Sequence, residues 1–553
     1  MDRLSPSEVL GIVLQPIEMV TETLERKLGL FSVVILSLSA MLGSGLFVLP
    51  SLAMMELGDG EIPLGGIWLA YLFAGLVILP GAISKSELAS AMPSSGGAYV
   101  YIEKTFGPII GTISGLGLWA NFMLKSAFAL IGFRAYFWVL EGILGISLNL
   151  DAVVMIMLSL IVIINILGAK SIKMVQTPVV LISVTYLLCL CIWALATTEL
   201  NWDSAISRES LGADWHSLSS TAALVFVSYI GVTKIAAVGG EIKSPSKNLP
   251  QGILISLMFS IILYVFVTLT MTITVDPSLY VESGHAREDP IYIFALDVGG
   301  KTIATIAATF AAITVLSGSL AGIMAASRFL FAMARDNLLP AIFEDVHGRF
   351  ETPHWAIVGT GLSMAAAIML LPVHDVAEFA SGFNIMVFIA INACVLVLRS
   401  SSESHWYEPE WKSPLFPIVQ ILGISGGLIL IYAMGLKAVI GGSAAIVIGI
   451  IIYQSYGKKH TENQITPWET FRLAFTNPDE VEHRRRWAAF HAADTERNDH
   501  LNLHEFISAM QSLGFSGEGD DALREYFHAA DENQDGILEI DEFLLGVEEL
   551  EFD

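Results

Sequence analysis

The sequence predicts an all-α, polytopic membrane protein that carries a small soluble module at its C-terminal end. Three observations predict this class. Hydrophobic residues make up 54% of the 553 residues, charged residues only 15%, and the mean hydropathy is +0.64. Segments of the length and apolar character of a membrane-spanning helix recur along the chain. The charge is uneven, because the formal net charge is −25 and the part from Tyr456 onward holds 8 Lys and Arg against 23 Asp and Glu.

We predict four parts: a cytoplasmic N-terminal segment (1–29), a membrane domain (30–455), a linker (456–478) and an acidic tail (479–553). The membrane domain contains twelve predicted spans, at 31–56, 66–84, 108–138, 150–168, 178–197, 218–240, 251–275, 302–334, 354–372, 376–398, 415–435 and 437–455. Loops on the N-terminal side hold fifteen Lys and Arg, and loops on the other side hold four. This asymmetry predicts that both termini are cytoplasmic. We expect the protein to reside in the plasma or inner membrane.

Composition also excludes some functions. A strongly acidic tail on a membrane body is unsuited to nucleic acid and favours cations or a basic protein surface as partners. The chain has no G-x-x-x-x-G-K-[ST] phosphate-binding motif, so it is not predicted to be an ATP-driven pump. We find no nucleophile–base pattern that would indicate an enzyme. Cys189, Cys191 and Cys394 all fall in apolar segments and are predicted to be buried thiols.

The first span contains a candidate interruption at Gly43-Ser44-Gly45. Glycine weakens a helix and permits non-helical backbone. Within the lipid region such backbone is tolerated only where it is buried in protein or lines a cavity. The N–H groups that begin the second half-helix suit a carboxylate. The alternative is close helix packing through small residues.

A second candidate interruption lies five spans later, in span six, at Ser228-Tyr229-Ile230-Gly231. A packing glycine is again the alternative for this stretch taken by itself. Interrupted helices at corresponding positions of two halves indicate a transporter built from inverted repeats. The pair therefore favours transport over packing.

The residues around these interruptions carry a family resemblance. The matching stretches are AMLGSGLF at 40–47, SEL at 86–88, PSSGGAY at 93–99, GGEIKSP at 239–245, ASR at 326–328 and ARD at 334–336. In these motifs the sequence resembles the amino acid–polyamine–organocation (APC) permease superfamily, nearest to its cationic-amino-acid-transporter-like branch. The resemblance covers about residues 25–455. It implies two inverted five-span repeats with broken helices one and six, followed by two further helices.

The resemblance also implies an amino-acid site between the two interruptions. The N–H groups of Ser44 and Gly45, next to Gly43, are expected to receive the α-carboxylate. Carbonyls near Phe226, Val227 and Tyr229, before Gly231, are expected to receive the α-ammonium. The positive N-terminus and the negative C-terminus of a helix agree with this polarity. Phe226 is a candidate lid, with an ordinary buried aromatic as the alternative.

Charged and polar side chains at membrane depth are candidates for coupling and gating. Lys125 lies in the middle of span three and Lys234 just after the second interruption; snorkelling to an interface is the alternative for both. Some relatives use a span-five lysine in place of sodium, but span five has none here, which leaves sodium and protons both open as coupling ions. Ser317 is a candidate sodium ligand. Glu87, Glu241 and Arg328 are candidates for an inner gate, with solvated interface charges as the alternative.

The tail contains a twelve-residue stretch with the spacing of an EF-hand calcium loop. Its candidate ligands are Asp531, Asn533, Asp535, the carbonyl of Ile537 and Glu542, and Gly536 occupies the turn position. A weaker second copy has candidate ligands at Asp494, Glu496, Asn498, His500 and Glu505, with Asp499 in place of the turn glycine. We expect the two loops to pair, and calcium binding by the weaker loop stays open.

The sequence thus predicts a secondary-active amino-acid transporter with a cytoplasmic calcium-binding tail. Two alternatives stay open. One is a transporter of another solute, such as a polyamine or inorganic ions. The other is a substrate sensor that signals through the tail.

Overall fold

The structure, a computed structural model, describes residues 28–93, 96–145, 149–167, 170–212, 214–231, 242–348, 350, 352–401, 407–461, 466–476, 486–487, 489–490, 493–494, 500–513, 520–531 and 536–552. The chain divides into two compact units. One comprises Met1–Glu103, Pro108–Val395 and Pro409–Thr461, and the other comprises Lys104–Gly107, Leu396–Glu408 and Glu462–Asp553.

The first unit is built from α-helices of apolar sequence. Its first half contains α1 (Leu30–Met41), α2 (Ser44–Phe47), α3 (Leu49–Leu57), α4 (Ile67–Ala91), α5 (Ala98–Phe106), α6 (Pro108–Leu144), α7 (Leu150–Leu167), α8 (Lys170–Thr197) and α9 (Asp203–Ile206).

The second half starts with α10 (Trp215–Val225), which continues as a 3₁₀ helix (Phe226–Ile230). It then contains α11 (Pro245–Thr274), the 3₁₀ turn Pro277–Tyr280, β1 (Val281–Glu282), β2 (His285–Ala286), α12 (Pro290–Arg335), the 3₁₀ turn Ala341–Phe343, α13 (His354–Leu370), α14 (Val373–Ser400), α15 (Ile418–Ala433), α16 (Leu436–Ser455) and the 3₁₀ turn Gly457–Lys459. Strands β1 and β2 form an antiparallel hairpin in which Val281 faces Ala286.

Helical structure is present in each of the twelve predicted spans. Among the described residues, seven helical segments are long and apolar enough to cross a membrane: Ile67–Ala91, Pro108–Phe137, Leu150–Leu167, Gln176–Thr197, Pro245–Thr274, Pro290–Arg335 and Val373–Ser400. Span one is split, span six changes from α-helix to 3₁₀ helix at Phe226 and is described only as far as Gly231, and the helices of spans nine and eleven are shorter. The structure is therefore that of a mostly helical polytopic protein, and the count of twelve spans with an inverted repeat stays a prediction.

Span eight begins earlier than the sequence predicts. We expected an outer loop up to residue 301, but α12 starts at Pro290, where proline suits the first turn of a helix. Gly300 has φ 73° and ψ −177°, so the helix is interrupted there before it continues. The polar composition of this stretch, which we read as a loop, reflects a short outer helix.

Burial separates the central helices from the peripheral ones. The most apolar window of the span Pro108–Phe137 is 83% buried, whereas that of Leu150–Leu167 is 22% buried. Helix α12 packs chiefly on α6, and α11 packs chiefly on α4. Helices α4, α6 and α11 each place a buried tyrosine against the interrupted span one.

The second unit contains α17 (Pro467–Thr476), β3 (His500–Leu501), α18 (Leu503–Leu513), α19 (Asp520–Ala530), β4 (Leu538–Glu539) and α20 (Ile540–Phe552). Its tail portion has a hydrophobic core of its own, made of Ala489, Phe490, Ala493, Leu501, Phe506, Ala509, Met510, Leu513, Leu523, Phe527, Leu538, Phe543 and Val547. The last residues of α5, from Lys104, belong to this second unit, and within it Trp468 of α17 packs on Phe106, with ring centroids 5.6 Å apart.

Candidate functional site

Span one is broken at the predicted glycine–serine–glycine stretch. Helix α1 ends at Met41, Leu42 is extended (φ −70°, ψ 127°), and α2 begins at Ser44. Gly43 between them has φ 156° and ψ −128°, a conformation that residues with a side chain rarely adopt. The break leaves the last carbonyls of α1 without partners in their own helix.

Two side chains from other helices supply those partners. The Nζ of Lys125, on α6, donates a hydrogen bond to the carbonyl oxygen of Ala40 at 2.7 Å and lies 3.5 Å from that of Ser228. The hydroxyl of Tyr264, on α11, donates to the carbonyl of Met41 at 2.7 Å and to that of Ser228 at 3.2 Å. An ammonium and a hydroxyl thus bridge the carbonyls of both interruptions.

Two further tyrosines bond to the second half of span one. The hydroxyl of Tyr71, on α4, donates to the carbonyl of Gly45 at 2.7 Å. The hydroxyl of Tyr136, on α6, donates to the carbonyl of Phe47. Both tyrosines are fully buried, so these bonds satisfy polar groups that lipid would leave unpaired.

Span six is interrupted more gradually. Helix α10 ends at Val225 and tightens into the 3₁₀ helix. The hydroxyl of Ser381, on α14, donates to the carbonyl of Leu224 at 2.7 Å and accepts from the N–H of Val227 at 2.9 Å. The Ser381 hydroxyl therefore satisfies one carbonyl and one N–H group of the backbone where the α-helix changes to a 3₁₀ helix.

The two interruptions touch each other at glycines. A methyl group placed on Gly45 would lie 2.7 Å from the Cβ of Ser228, and one on Gly231 would lie 2.6 Å from the backbone nitrogen of Met41. The Ser228 hydroxyl also donates to the Gly45 carbonyl at 3.3 Å. Only glycine permits this approach.

A small cavity lies beside the break in span one. Its volume is about 20 Å³, which is room for about one water molecule. Among its lining residues are Gly43, Ser44, Lys125, Gly318 and Gly322. The buried Ser44 hydroxyl has no hydrogen-bond partner among the residues that the structure describes. Most of the residues that line the cavity are apolar or glycine, and Ser44, Lys125 and Ser126 contribute its polar side chains.

The other predicted substrate-binding residues are buried but do not line this cavity. Phe226 packs edge-on against Phe388, with centroids 5.9 Å apart. The Tyr229 hydroxyl donates to the Tyr71 carbonyl at 2.9 Å. Val227 is bonded through its N–H to Ser381. The predicted roles of these residues with an ammonium group stay predictions.

The predicted gating residues fall in different places. Lys234 and Glu241 lie outside the described residues. Ser317 is buried on α12, one position before the cavity-lining Gly318, and Arg328 is half-buried on the same helix. The carboxylate of Glu87 accepts from the N–H of Ser413 at 2.8 Å. The inner gate stays a prediction.

Our sequence reasoning missed Tyr71, Tyr264 and Ser381, which hold the backbone of the interruptions. A signal was available: a tyrosine in the middle of a membrane span needs a hydrogen-bond partner. The sequence does not show which carbonyl each hydroxyl reaches.

In the tail, the two loops are joined by a short antiparallel pairing. His500 faces Glu539, and Leu501 faces Leu538, so the eighth positions of the two twelve-residue stretches lie opposite each other. Each stretch also has a bond between its ninth and twelfth positions: Asn502 N–H to the Glu505 carboxylate at 3.2 Å, and Glu539 N–H to the Glu542 carboxylate at 3.1 Å. The two loops are therefore alike in these features, and they pair.

In the stronger loop, the turn glycine is bonded to the first candidate ligand. The N–H of Gly536, which has φ 81°, donates to the Asp531 carboxylate at 3.0 Å. Asn533 and Asp535 lie outside the described residues. In the weaker loop, Asp494 and Glu505 are buried and His500 is half-buried, while Glu496 and Asn498 also lie outside the described residues. The carboxylates present are oxygen donors of the kind that Ca²⁺ prefers.

Comparisons with known proteins show similarity to membrane transporters. The chain is 29% identical over 461 residues to the branched-chain amino acid permease BcaP of Bacillus subtilis. This alignment covers 80% of the present chain and 95% of the relative. It is 26% identical over 460 residues to the methylthioribose transporter of the same organism, covering 80% and 95%. It is 27% identical over 394 residues to the vacuolar cationic amino acid transporter 4 of Arabidopsis thaliana, covering 68% and 64%.

The family model described as amino acid permease matches residues 28–462. The match confirms the superfamily resemblance and leaves the cationic-amino-acid-transporter-like branch a prediction. The matched residues make up most of the chain and include all seven helical segments that are long and apolar enough to cross a membrane. The chain is thus an integral membrane protein and belongs to the amino acid permease family.

Proposed function

We propose that the protein is a secondary-active amino-acid transporter of the plasma or inner membrane, with cytoplasmic termini and a tail that binds calcium. One observation carries the transport half. At the break in span one, the Ser44 hydroxyl, which has no partner among the described residues, and the Lys125 ammonium line the same cavity. Membrane transporters bind substrates where interrupted helices offer polar groups inside the membrane domain.

The cavity suits the carboxylate end of an amino acid. The Ser44 hydroxyl and the first N–H groups after Gly43 offer donors, and Lys125 adds positive charge nearby. A volume of about 20 Å³ is far below that of an amino acid, so binding requires the interrupted segments to separate. Alternating access supplies such a movement.

Uptake into liposomes tests this proposal. Purified protein is reconstituted, and radiolabelled leucine, serine, arginine and methylthioribose are offered in turn, with protein-free liposomes as the control. Saturable accumulation of an amino acid is expected. Accumulation of methylthioribose alone would favour the second candidate, a transporter of another solute, which the methylthioribose relative supports. Binding without flux would favour a sensor.

For coupling, we propose that Lys125 acts as a fixed cation. Its ammonium lies among backbone carbonyls of both interruptions, where an unpartnered set of oxygens would otherwise suit a metal cation. Sodium then has no vacant set of oxygens here, and uptake is expected to be the same in sodium and in choline buffers. Strict sodium dependence of wild-type uptake would contradict this assignment.

For the tail, we propose calcium binding at Asp531, Asn533, Asp535, Ile537 and Glu542, and regulation of transport by it. The paired strands, the turn at Gly536 and the self-contained core support a paired EF-hand. Calcium shifts transport only if it binds one conformation better than another. The weaker loop serves as the structural partner of the stronger one.

Calorimetry on the full-length protein tests the calcium site. Glu542→Gln removes one ligand charge, so its calcium affinity should fall at least about tenfold. Glu525→Gln, an exposed change on α19, is the matched control and should retain wild-type affinity. Uptake is then measured with calcium buffered low and high on the tail side. Unchanged uptake with intact binding would leave a structural calcium module.

A further inference from the structure

A chain of polar contacts crosses three elements at one end of the membrane domain. His374, the second residue of α14, places its Nε2 3.2 Å from a carboxylate oxygen of Glu56, near the end of α3. The other carboxylate oxygen of Glu56 accepts a hydrogen bond from the hydroxyl of Ser220, on α10. We call Ser220, Glu56 and His374 the outer latch.

Further charges surround the imidazole. Its Nδ1 lies 4.0 Å from a carboxylate oxygen of Asp375 and 3.8 Å from one of Glu378, both on its own helix. On α10, His216 is near enough to act electrostatically on Glu56. Three carboxylates around one imidazole favour the charged imidazolium. The His374 side chain is 38% exposed, so protons from the aqueous side reach it.

The latch joins parts that transport must separate. Helix α3 is the second half of interrupted span one, and α10 is the first half of interrupted span six. The loop charges predict that this end faces away from the cytoplasm. A movement of these half-helices relative to α14 that opens this side would break the contact between Glu56 and His374.

We propose that the outer latch is proton-operated: protonated His374 holds Glu56 and keeps the outer side closed, and loss of that proton releases it. When the contact breaks, Asp375 and Glu378 stay with His374 on α14, whereas Glu56 leaves. The closed conformation therefore binds the His374 proton more tightly than the open one does. By linkage, acid shifts the population toward the closed form and neutral pH toward the open form. This inference rests on the proposed transport function only where it gives the latch a role in transport. The pH-dependent change between the closed and open forms does not require transport.

Distance measurements test the latch without requiring transport. Spin labels are attached at Glu61→Cys and Pro372→Cys, two exposed positions beside α3 and α14, after Cys189, Cys191 and Cys394 are replaced by alanine. Double electron–electron resonance is recorded from pH 5.5 to 8 with EDTA present. An ion pair of this exposure should change the ratio of short to long distances roughly twofold to fivefold.

Three variants assign the response. His374→Gln should abolish the pH dependence, and Glu56→Gln should favour long distances at every pH. His285→Gln, an exposed histidine on β2 that is not part of the latch, is the matched control and should keep the wild-type response. A distance distribution that does not change with pH, or a response that survives His374→Gln, overturns the proposal. A pH response without uptake of any solute would instead reject the transport function and leave the latch in place.

Discussion

The two interrupted spans solve the same backbone problem differently. Span one breaks abruptly at Gly43, and its carbonyls are bonded by Lys125, Tyr264 and Tyr71 from other helices. Span six tightens into a 3₁₀ helix, where Ser381 bonds to the Leu224 carbonyl and the Ser228 carbonyl is reached by the same Lys125 and Tyr264 side chains. Side chains of other helices thus bond to four carbonyls of span one, those of Ala40, Met41, Gly45 and Phe47, and to two in the described part of span six.

The difference indicates where function is concentrated. The break in span one lies on the cavity and brings a charged group to it, whereas the residues of the 3₁₀ helix are packed against other side chains. We therefore expect substitutions at the first interruption to change transport and those at the second to change mainly stability. Four substitutions test this contrast.

Lys125→Ala should have the largest effect. It removes the donor of the Ala40 carbonyl and the positive charge beside the cavity. Losing a charged hydrogen bond of this kind should lower uptake roughly tenfold to a hundredfold. Uptake by liposomes is the measurement, and added methylammonium, which fits the space left, should restore part of it. Wild-type uptake by the variant would contradict the role of Lys125.

Gly45→Ala should have the next largest effect. Its methyl group would lie 2.7 Å from the Cβ of Ser228, so the two interruptions must move apart. Overpacking of this kind costs about 1–3 kcal/mol, and we expect both uptake and the melting temperature to fall. Gly117→Ala is the matched control, because nothing lies within 4 Å of its added methyl group. Equal behaviour of the two variants would rule out a tight contact.

Ser44→Ala should act on substrate binding with little effect on folding. The Ser44 hydroxyl has no partner among the described residues, so its removal costs the folded protein little. Losing one neutral hydrogen bond to substrate should raise KM about twofold to tenfold. Ser51→Ala, a buried serine on α3 that does not line the cavity, should leave KM unchanged. A similar rise in both variants would place the substrate elsewhere.

Ser381→Ala should have the smallest effect on transport kinetics. The change removes two bonds to the backbone of span six but no cavity-lining group. We expect a melting temperature lower by several degrees and a KM within about twofold of wild type. A large rise in KM with unchanged melting temperature would show that the 3₁₀ helix binds substrate directly.

Local chemistry explains what the sequence predicted well. The break at Gly43 follows from glycine's backbone freedom. The pairing of the two tail loops follows from the acidic and amide residues that recur at the same spacing in both. Helix α18 likewise follows from local pattern, because its apolar residues recur at the three- and four-residue spacing of an amphipathic helix.

Long-range geometry explains what the sequence did not predict. Tyr264 bonds to a carbonyl 223 residues away, and no local pattern selects that partner. The early start of α12 was missed because Gly300 and its polar neighbours resemble a loop. The outer latch depends on three side chains, Ser220, Glu56 and His374, that meet only in the folded protein.

The hydrogen bonds of span one imply an order of assembly in the membrane. This span precedes α4, α6 and α11 in the chain, but these three helices supply the donors of its carbonyls. An unpaired carbonyl in lipid costs several kcal/mol. Before α11 has been synthesised, span one is therefore more stable as an unbroken helix or while sheltered by the insertion machinery. The interruption at Gly43 forms late, as a product of tertiary folding, although its glycines precede in the chain all three helices that stabilise it.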